Sequence, residues 1–283
     1  MKIRNIILTI AISLSSTAFA QKQLVILHTN DTHSAVLPLS KNLVDTAVAN
    51  RGGFIRRMTM VKEERKQHPD LLLFDSGDFS QGSPYYTLFK GDVEVKLMNA
   101  MKYDAATIGN HEFDFGMDNM ARIFKMASFP IVCSNYDFTG TVLEGLVKPY
   151  IIINRNGLKI GVFGLCPQPE GLVFTKNYEG MKYLDPVKVG NEMAAKLKNE
   201  EKCDVVICLS HLGWKVEHTD DIKMIENTRN IDLVLGGHSH TNLKKLEYRP
   251  NLDGKQIAVD QNGKSGIYVG KITLNFNQEA VAQ

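Results

Sequence analysis

Five polar motifs, each seated directly behind a short apolar run, constrain this chain more than any other feature. Asp31 and His33 follow the run at residues 24–28, and Asp78 follows 70–74. Asn110, His111 and Asp114 follow 104–109, His211 follows 204–210, and His238 with His240 follows 231–237. Runs this short, bounded by turn residues, read as strands and not as helices. Amphipathic segments at residues 53–67, 92–101, 116–126 and 186–202 lie between several of them. The alternation predicts an α/β protein with mixed sheets. Open α/β sheets place their sites at the carboxyl ends of strands. The five motifs are therefore expected to meet. Asn154-Arg155-Asn156-Gly157 between two apolar runs predicts a hairpin, and residues 245–276 read as β, with Asp253-Gly254 and Asn262-Gly263 as turn signals. With no internal repeat and no Pro/Ser-rich linker, residues 21–283 read as a single domain.

The first twenty residues stand apart. Lys2 and Arg4 precede an apolar stretch at 6–14, and Ala18-Phe19-Ala20 has the small–x–small shape of a cleavage site. This predicts a signal peptide over 1–20, removed after Ala20, and an exported protein, periplasmic or secreted. The apolar stretch is shorter than the ~20 residues a spanning helix needs. No cysteine follows the cleavage site, so no membrane anchor is expected. The whole chain carries 33 basic and 31 acidic residues, and loss of Lys2 and Arg4 makes the two equal. No basic excess remains to neutralise a run of phosphates, which argues against a long nucleic acid as partner. Cys133, Cys166, Cys203 and Cys208 lie in or beside apolar runs and match no zinc spacing. Cys203 and Cys208, an odd number of positions apart on one presumed strand, should face opposite sides. Buried thiols are expected, and a disulfide between different strands stays open in an oxidising compartment.

Asp-x-His alone often only caps a turn, and a single Ser-His is commonly structural. Gly-Asn-His-Glu and Gly-Gly-His-Ser-His carry more, because buried imidazole, amide and carboxylate clusters are costly without partners. In extended chain, residues i and i+2 share a face, so Asp31 with His33, and His238 with His240, can each reach one point. Carboxylate, imidazole and one amide oxygen suit Zn²⁺ or Mn²⁺. Asp31, His33, Asp78, Asn110, His211, His238 and His240 are too many ligands for one tetrahedral ion, but they fit two divalent metal ions if one carboxylate bridges. A two-metal site supplies hydroxide near neutral pH and clamps the attacking and leaving oxygens of an in-line displacement. That is hydrolytic phosphoester chemistry.

These motifs resemble those of the calcineurin-like metallophosphoesterase superfamily. More narrowly, they resemble the catalytic domain of the bacterial 5′-nucleotidase/UDP-sugar hydrolase/2′,3′-cyclic-nucleotide phosphodiesterase family. ILHTNDTH, GDFSQGSPYY, YDAATIGNHEFDFG, SHLG, GGHSH and GIYVGKITLNF fit in order over residues 24–276. The resemblance implies a four-layer α/β/β/α sandwich of two mixed sheets flanked by helices. It implies one metal on Asp31, His33, Asp78 and His240, and another on Asp78, Asn110, His211 and His238. Asp78 would bridge, and a metal-bridging hydroxide would attack phosphorus. His111 would act beside the phosphate, oriented by Asp114, with Asn110 neutralising charge. Whether His111 stabilises charge or assists the leaving oxygen is left open. Glu112 reads as a supporting carboxylate, His28 as a residue facing the core or supporting the ligands, and His68 and His218 as surface residues. Tyr85 and Tyr86 read as packing residues, with a place at the mouth of the site as the alternative. Two-domain members of the family continue into a C-terminal substrate domain. With the chain ending at Gln283, that domain is expected to be absent or supplied by a separate chain. The expected activity is an exported 5′-nucleotidase-like hydrolase of small phosphoesters. The alternatives are a phosphodiesterase or nuclease on the same scaffold and a non-catalytic nucleotide- or metal-binding protein.

Overall fold

The computed structural model describes residues 22–276, so the leader read over residues 1–20 lies outside the described residues. In chain order the strands are β1 (Lys22–Thr29), β2 (Leu72–Asp75), β3 (Ala105–Ala106), β4 (Ile131–Val132), β5 (Tyr136–Asp137), β6 (Val147–Lys148) and β7 (Tyr150–Arg155). They continue with β8 (Leu158–Leu165), β9 (Lys182–Tyr183), β10 (Val205–Ser210), β11 (Leu233–Leu235), β12 (Glu247–Pro250), β13 (Gln256–Asp260) and β14 (Gly270–Phe276). The α-helices are α1 (Phe54–Gln67), α2 (Pro84–Phe89), α3 (Asp92–Met101), α4 (Gly116–Met126), α5 (Pro186–Ala195) and α6 (Asp221–Glu226).

Both large sheets are built from apolar runs buried on two faces, as parallel strands covered on each side must be. In β1, Leu24 and Ile26 pack between the sheets while Val25 and Leu27 pack beneath helices. In β10, Val205, Ile207 and Leu209 face the other sheet while Val206 and Cys208 face helices. One sheet has the order β14-β1-β2-β3-β4-β6, the other β12-β13-β11-β10-β8-β7. Only β14 in the first and the edge strands β12 and β7 in the second run antiparallel to their neighbours. Helices α1, α3 and α4 cover the outer face of the first sheet, and α5 and α6 that of the second. The result is the four-layer α/β/β/α sandwich.

Register brings the site together. Thr29 pairs with Asp75 and Asp75 with Ala106 in one sheet, and Leu235 pairs with Leu209 and Asp260 in the other. The parallel strands therefore end level, and the two sheets are tied at that end. Ser76 Oγ donates to Leu235 O at 2.8 Å, and buried His28 meets Asp260 at 2.8 Å.

Helices α3 and α4 fall where their periodicity puts them, and the hairpin at 154–157 closes with Asn156 and Gly157 both at positive φ. Two expectations need correction. The segment read as one helix over 186–202 is α-helical only to Ala195 and continues as a π-helical turn, Lys196–Glu200. Cys203 precedes β10 and does not lie on it, so Cys203 and Cys208 both pack in the helix-side layer of the second sheet. The turn signal at Asn262-Gly263 lies on the crossing from β13 of one sheet to β14 of the other, with Gly263 at positive φ. Among the described residues no helix is long and apolar enough to cross a membrane.

Candidate metal centre

Beyond the level strand ends the chain leaves extended geometry. Asp31, His33, Asp78, His238 and His240 all have positive φ, between 43° and 72°. Non-glycine residues adopt this region at a cost, and such residues gather where the surrounding structure dictates the conformation. This corrects the reason expected for Asp31 and His33 to converge. They do so from a left-handed turn, not from one face of a strand. It also separates His238 from His240, which point into different clusters.

Asp31, His33 and His240 form one cluster and Asp78, His211 and His238 a second, with the donor atoms of each lying within 4.8 Å of one another. In the first, His33 Nε2 and His240 Nε2 are 2.9 Å apart, and Asp31 Oδ1 is 3.8 Å from the former and 3.5 Å from the latter. In the second, His211 Nε2 lies 3.1 Å from Asp78 Oδ2. Asn110 Oδ1 joins the second cluster 2.9 Å from His238 Nδ1. The clusters adjoin, since His211 Nε2 is also 3.9 Å from Asp31 Oδ1. Asp78 belongs to the second cluster, and its charge also acts on His33 of the first. All seven expected ligands are therefore in one place.

The chemistry of the donors fits cations. His211 Nδ1 faces Ser76 O at 2.6 Å and must donate to it, which leaves Nε2 as a bare lone pair. That nitrogen is fully buried, has no hydrogen-bond partner, and looks onto a carboxylate oxygen. Two acceptors in that arrangement need a positive charge beside them. Their 3.1 Å separation suits two ligands of one ion, each about 2 Å from it. Without the ion a proton serves instead. Burial would push His211 down, yet Asp78 and then Asp31 outweigh it and push it up to about 10. Burial would likewise raise Asp78, but His211, His111 and His33 hold it well below the usual carboxylate range. Burial, reinforced by His211, pushes His238 down to about 4. Its ring is therefore neutral and able to ligate.

Small residues let these groups approach. Gly77, at φ 89°, has no room for a side chain, because a Cβ would stand 2.7 Å from Gly109 N and 2.8 Å from His211 Nδ1. Gly109 and Gly237 lie as tightly against Asp78 and His211. Sequence reasoning did not single out these glycines. Their signal was their place directly beside each ligand motif.

Glu112 has a definite task. Fully buried, it accepts Asp78 N at 3.0 Å and Gly109 N at 2.6 Å through Oε2, and Ser80 N at 3.1 Å through Oε1. It thus ties the loop of Asp78 to the loop of Asn110. Burial and the nearby Asp78 push its carboxyl up to about 7. Glu112→Gln turns one acceptor into a donor facing a backbone N–H. The expected cost is about 1–3 kcal/mol, the scale of one buried unsatisfied group. Urea unfolding of the metal-free protein measures it, and an unchanged midpoint removes Glu112 from this task.

His111 stands in neither cluster. Its backbone N–H donates to Asp78 Oδ1 at 2.9 Å, and its Nδ1 meets Asp114 Oδ2 at 3.1 Å. Burial would lower its pKa, but Asp114 and then Asp78 raise it above the usual imidazole value. A cavity of about 480 Å³ opens beside His33, His111 and His240, lined also by Tyr85, Leu39 and Lys264. The two tyrosines therefore part company. Tyr86 is buried and reaches His111 O at 3.3 Å, whereas Tyr85 lines the cavity. His28 is buried as expected, and His218 is exposed. Lys264 carried no signal in the sequence, since its loop reaches the site only through the crossing from β13 to β14.

The four-layer sandwich carries two adjoining imidazole–carboxylate clusters, each able to hold a metal ion, at the level ends of its strands. Residues 24–242 match the calcineurin-like phosphoesterase family, and the chain belongs to that family. It is 30% identical to the trifunctional nucleotide phosphoesterase protein YfkN of Bacillus subtilis, over 92% of this chain and 18% of that protein. It is 32% identical to the snake venom 5′-nucleotidase of Crotalus adamanteus, over 93% of this chain and 47% of that protein. The chain thus spans half or less of the length of these relatives. Among solved structures it is similar to a 5′-nucleotidase precursor from Thermus thermophilus, with a TM-score of 0.82 and 28% identity, over 90% of this chain and 52% of that one.

Proposed function

We propose that the chain hydrolyses nucleotides or related small phosphoesters at a two-metal centre held by Asp31, His33, Asp78, Asn110, His211, His238 and His240. The observation that carries this is the buried Nε2 of His211, without a hydrogen-bond partner and 3.1 Å from Asp78 Oδ2, in one of two adjoining ligand clusters. Asp78 is the shared carboxylate. When bound, two divalent cations supply hydroxide near neutral pH and offset charge on the phosphoryl oxygens. Zn²⁺ and Mn²⁺ suit the donor set. Asn110, with its amide at the edge of the second cluster, holds a phosphoryl oxygen. His111, with Nδ1 engaged by Asp114, keeps Nε2 available to the reacting phosphate. Export under the leader at residues 1–20 belongs to the same proposal.

Among the described residues, the cavity beside His111 is lined by one aromatic ring other than imidazole, Tyr85. A single ring does not sandwich a base, so the expected preference among the four ribonucleoside monophosphates is under about tenfold in kcat/KM. Assays of residues 21–283 with Mn²⁺, Zn²⁺ and Co²⁺ supplied separately test both statements. Absence of phosphate release from every nucleotide and aryl phosphate removes the hydrolase reading. A preference of ~100-fold or more for one base removes only the loose-recognition reading.

A phosphodiester substrate has one observation in its favour. A second cavity, of about 750 Å³, reaches the centre at His238, between residues 167–172 and 216–219. It gives a second ester arm a place to lie. Bis(4-nitrophenyl) phosphate in the same assay reports on it.

A further inference from the structure

Two of the four cysteines are placed to react with each other. Cys133 follows β4 of the first sheet, and Cys166 follows β8 of the second. Their sulfurs are 3.3 Å apart, both residues are buried, and both pack in one cluster. The backbones that carry them are already aligned. Ser134 N donates to Gly164 O at 2.8 Å. Asn135 grips Cys166 from both sides, accepting its N–H and donating to its carbonyl, each at 2.8 Å. Residues bridged by a disulfide sit on adjacent backbones with their β-carbons facing. Here three hydrogen bonds hold that spacing before any covalent bond exists. Cys203 and Cys208 show no such approach to any thiol among the described residues.

We infer that Cys133 and Cys166 form a disulfide joining the two large sheets when the folding chain meets a disulfide oxidant. One thiolate attacks a sulfur of the external disulfide, forming a mixed disulfide and releasing one thiolate. The second cysteine, as thiolate, then attacks the cysteine sulfur of the mixed disulfide, closes the Cys133–Cys166 bond and releases the other thiolate. Two protein thiols are oxidised, one external disulfide is reduced to two thiols, and the cysteine protons pass to solvent or to the departing thiolates. The step belongs to folding, because in the finished structure both sulfurs are shielded from an external partner. The bond lies directly under the site. Cys166 Sγ touches Ile108 O at 2.9 Å, two residues before Asn110. Oxidation thus braces the floor of the loop that carries Asn110 and His111.

The test refolds the full chain in oxidised and reduced glutathione, then alkylates free thiols under denaturing conditions. The expected count is two free thiols, on Cys203 and Cys208, with a peptide map showing Cys133 bonded to Cys166. Refolding with reductant leaves four. Closing a loop of this length should raise the melting midpoint by roughly 5–15 °C over the reduced protein. Cys133→Ala, or Cys166→Ser should the first variant fold poorly, is expected to melt alike in both buffers. Four alkylated thiols after oxidative refolding overturn the inference. So does a bridge to Cys203 or Cys208, or a redox-dependent melting shift that survives in the variants.

Discussion

Asp78→Asn is expected to abolish turnover and to release both cations. The substitution keeps the shape of the side chain and removes one negative charge from a site where two histidine–carboxylate clusters adjoin. Oδ1 can still accept the His111 N–H, as it does now at 2.9 Å. The new amide faces His211 Nε2, a buried atom otherwise without a hydrogen-bond partner, and can donate to it. The metal-free variant should therefore fold and melt close to the metal-free parent. Its metal content should fall toward zero after dialysis, where the parent retains close to two ions. Activity should drop by ~10³-fold or more, the scale of losing a preorganised electrostatic partner. Elemental analysis and 4-nitrophenyl phosphate hydrolysis on the same sample separate the cases. A variant that retains both ions shows that Asp78 is not the shared ligand.

What the sequence showed of this site, and what it hid, follows from the range of the physics involved. Runs such as residues 204–210 and 158–165 announce strands because both faces of a covered parallel sheet are apolar. Helices α3 and α4 follow from local periodicity. Strand β3 falls inside the run read as a strand at residues 104–109, but only Ala105 and Ala106 enter the ladder, and how far a ladder extends depends on the neighbouring strands. The ligands were legible as residue types at strand ends. Their backbone was not, because the left-handed conformations of Asp31, His33, Asp78, His238 and His240 are set by what surrounds them. Glu112 is the clearest case. Its position beside His111 is plain in the sequence, but its three backbone partners come from two loops some thirty residues apart. The pairing of Cys133 with Cys166 was hidden for the same reason, since it depends on how one sheet lies against the other.

His111→Ala is expected to leave two bound ions and to lower kcat by ~10²–10⁴-fold, the range of a positioned acid or base. The metals should stay because the ring belongs to neither ligand cluster, although it lies edge-on to His33 with centroids 5.4 Å apart. The loop should stay because its tie to Asp78 runs through the His111 backbone N–H, which alanine keeps. Asp114→Asn should act through the ring. The Nδ1 contact at 3.1 Å weakens, the imidazole loses orientation and charge, and the loss should be smaller, ~10–100-fold. Two substrates then separate the two roles open to His111. A nitrophenolate leaves without a proton, whereas a ribose 5′-oxygen needs one. If His111 protonates the leaving oxygen, the alanine variant loses far more rate on a nucleoside monophosphate than on 4-nitrophenyl phosphate. If it stabilises charge on the phosphoryl oxygens, the two losses are equal, because that charge develops whichever group departs. Loss of one ion equivalent in His111→Ala makes the ring a ligand and overturns both roles.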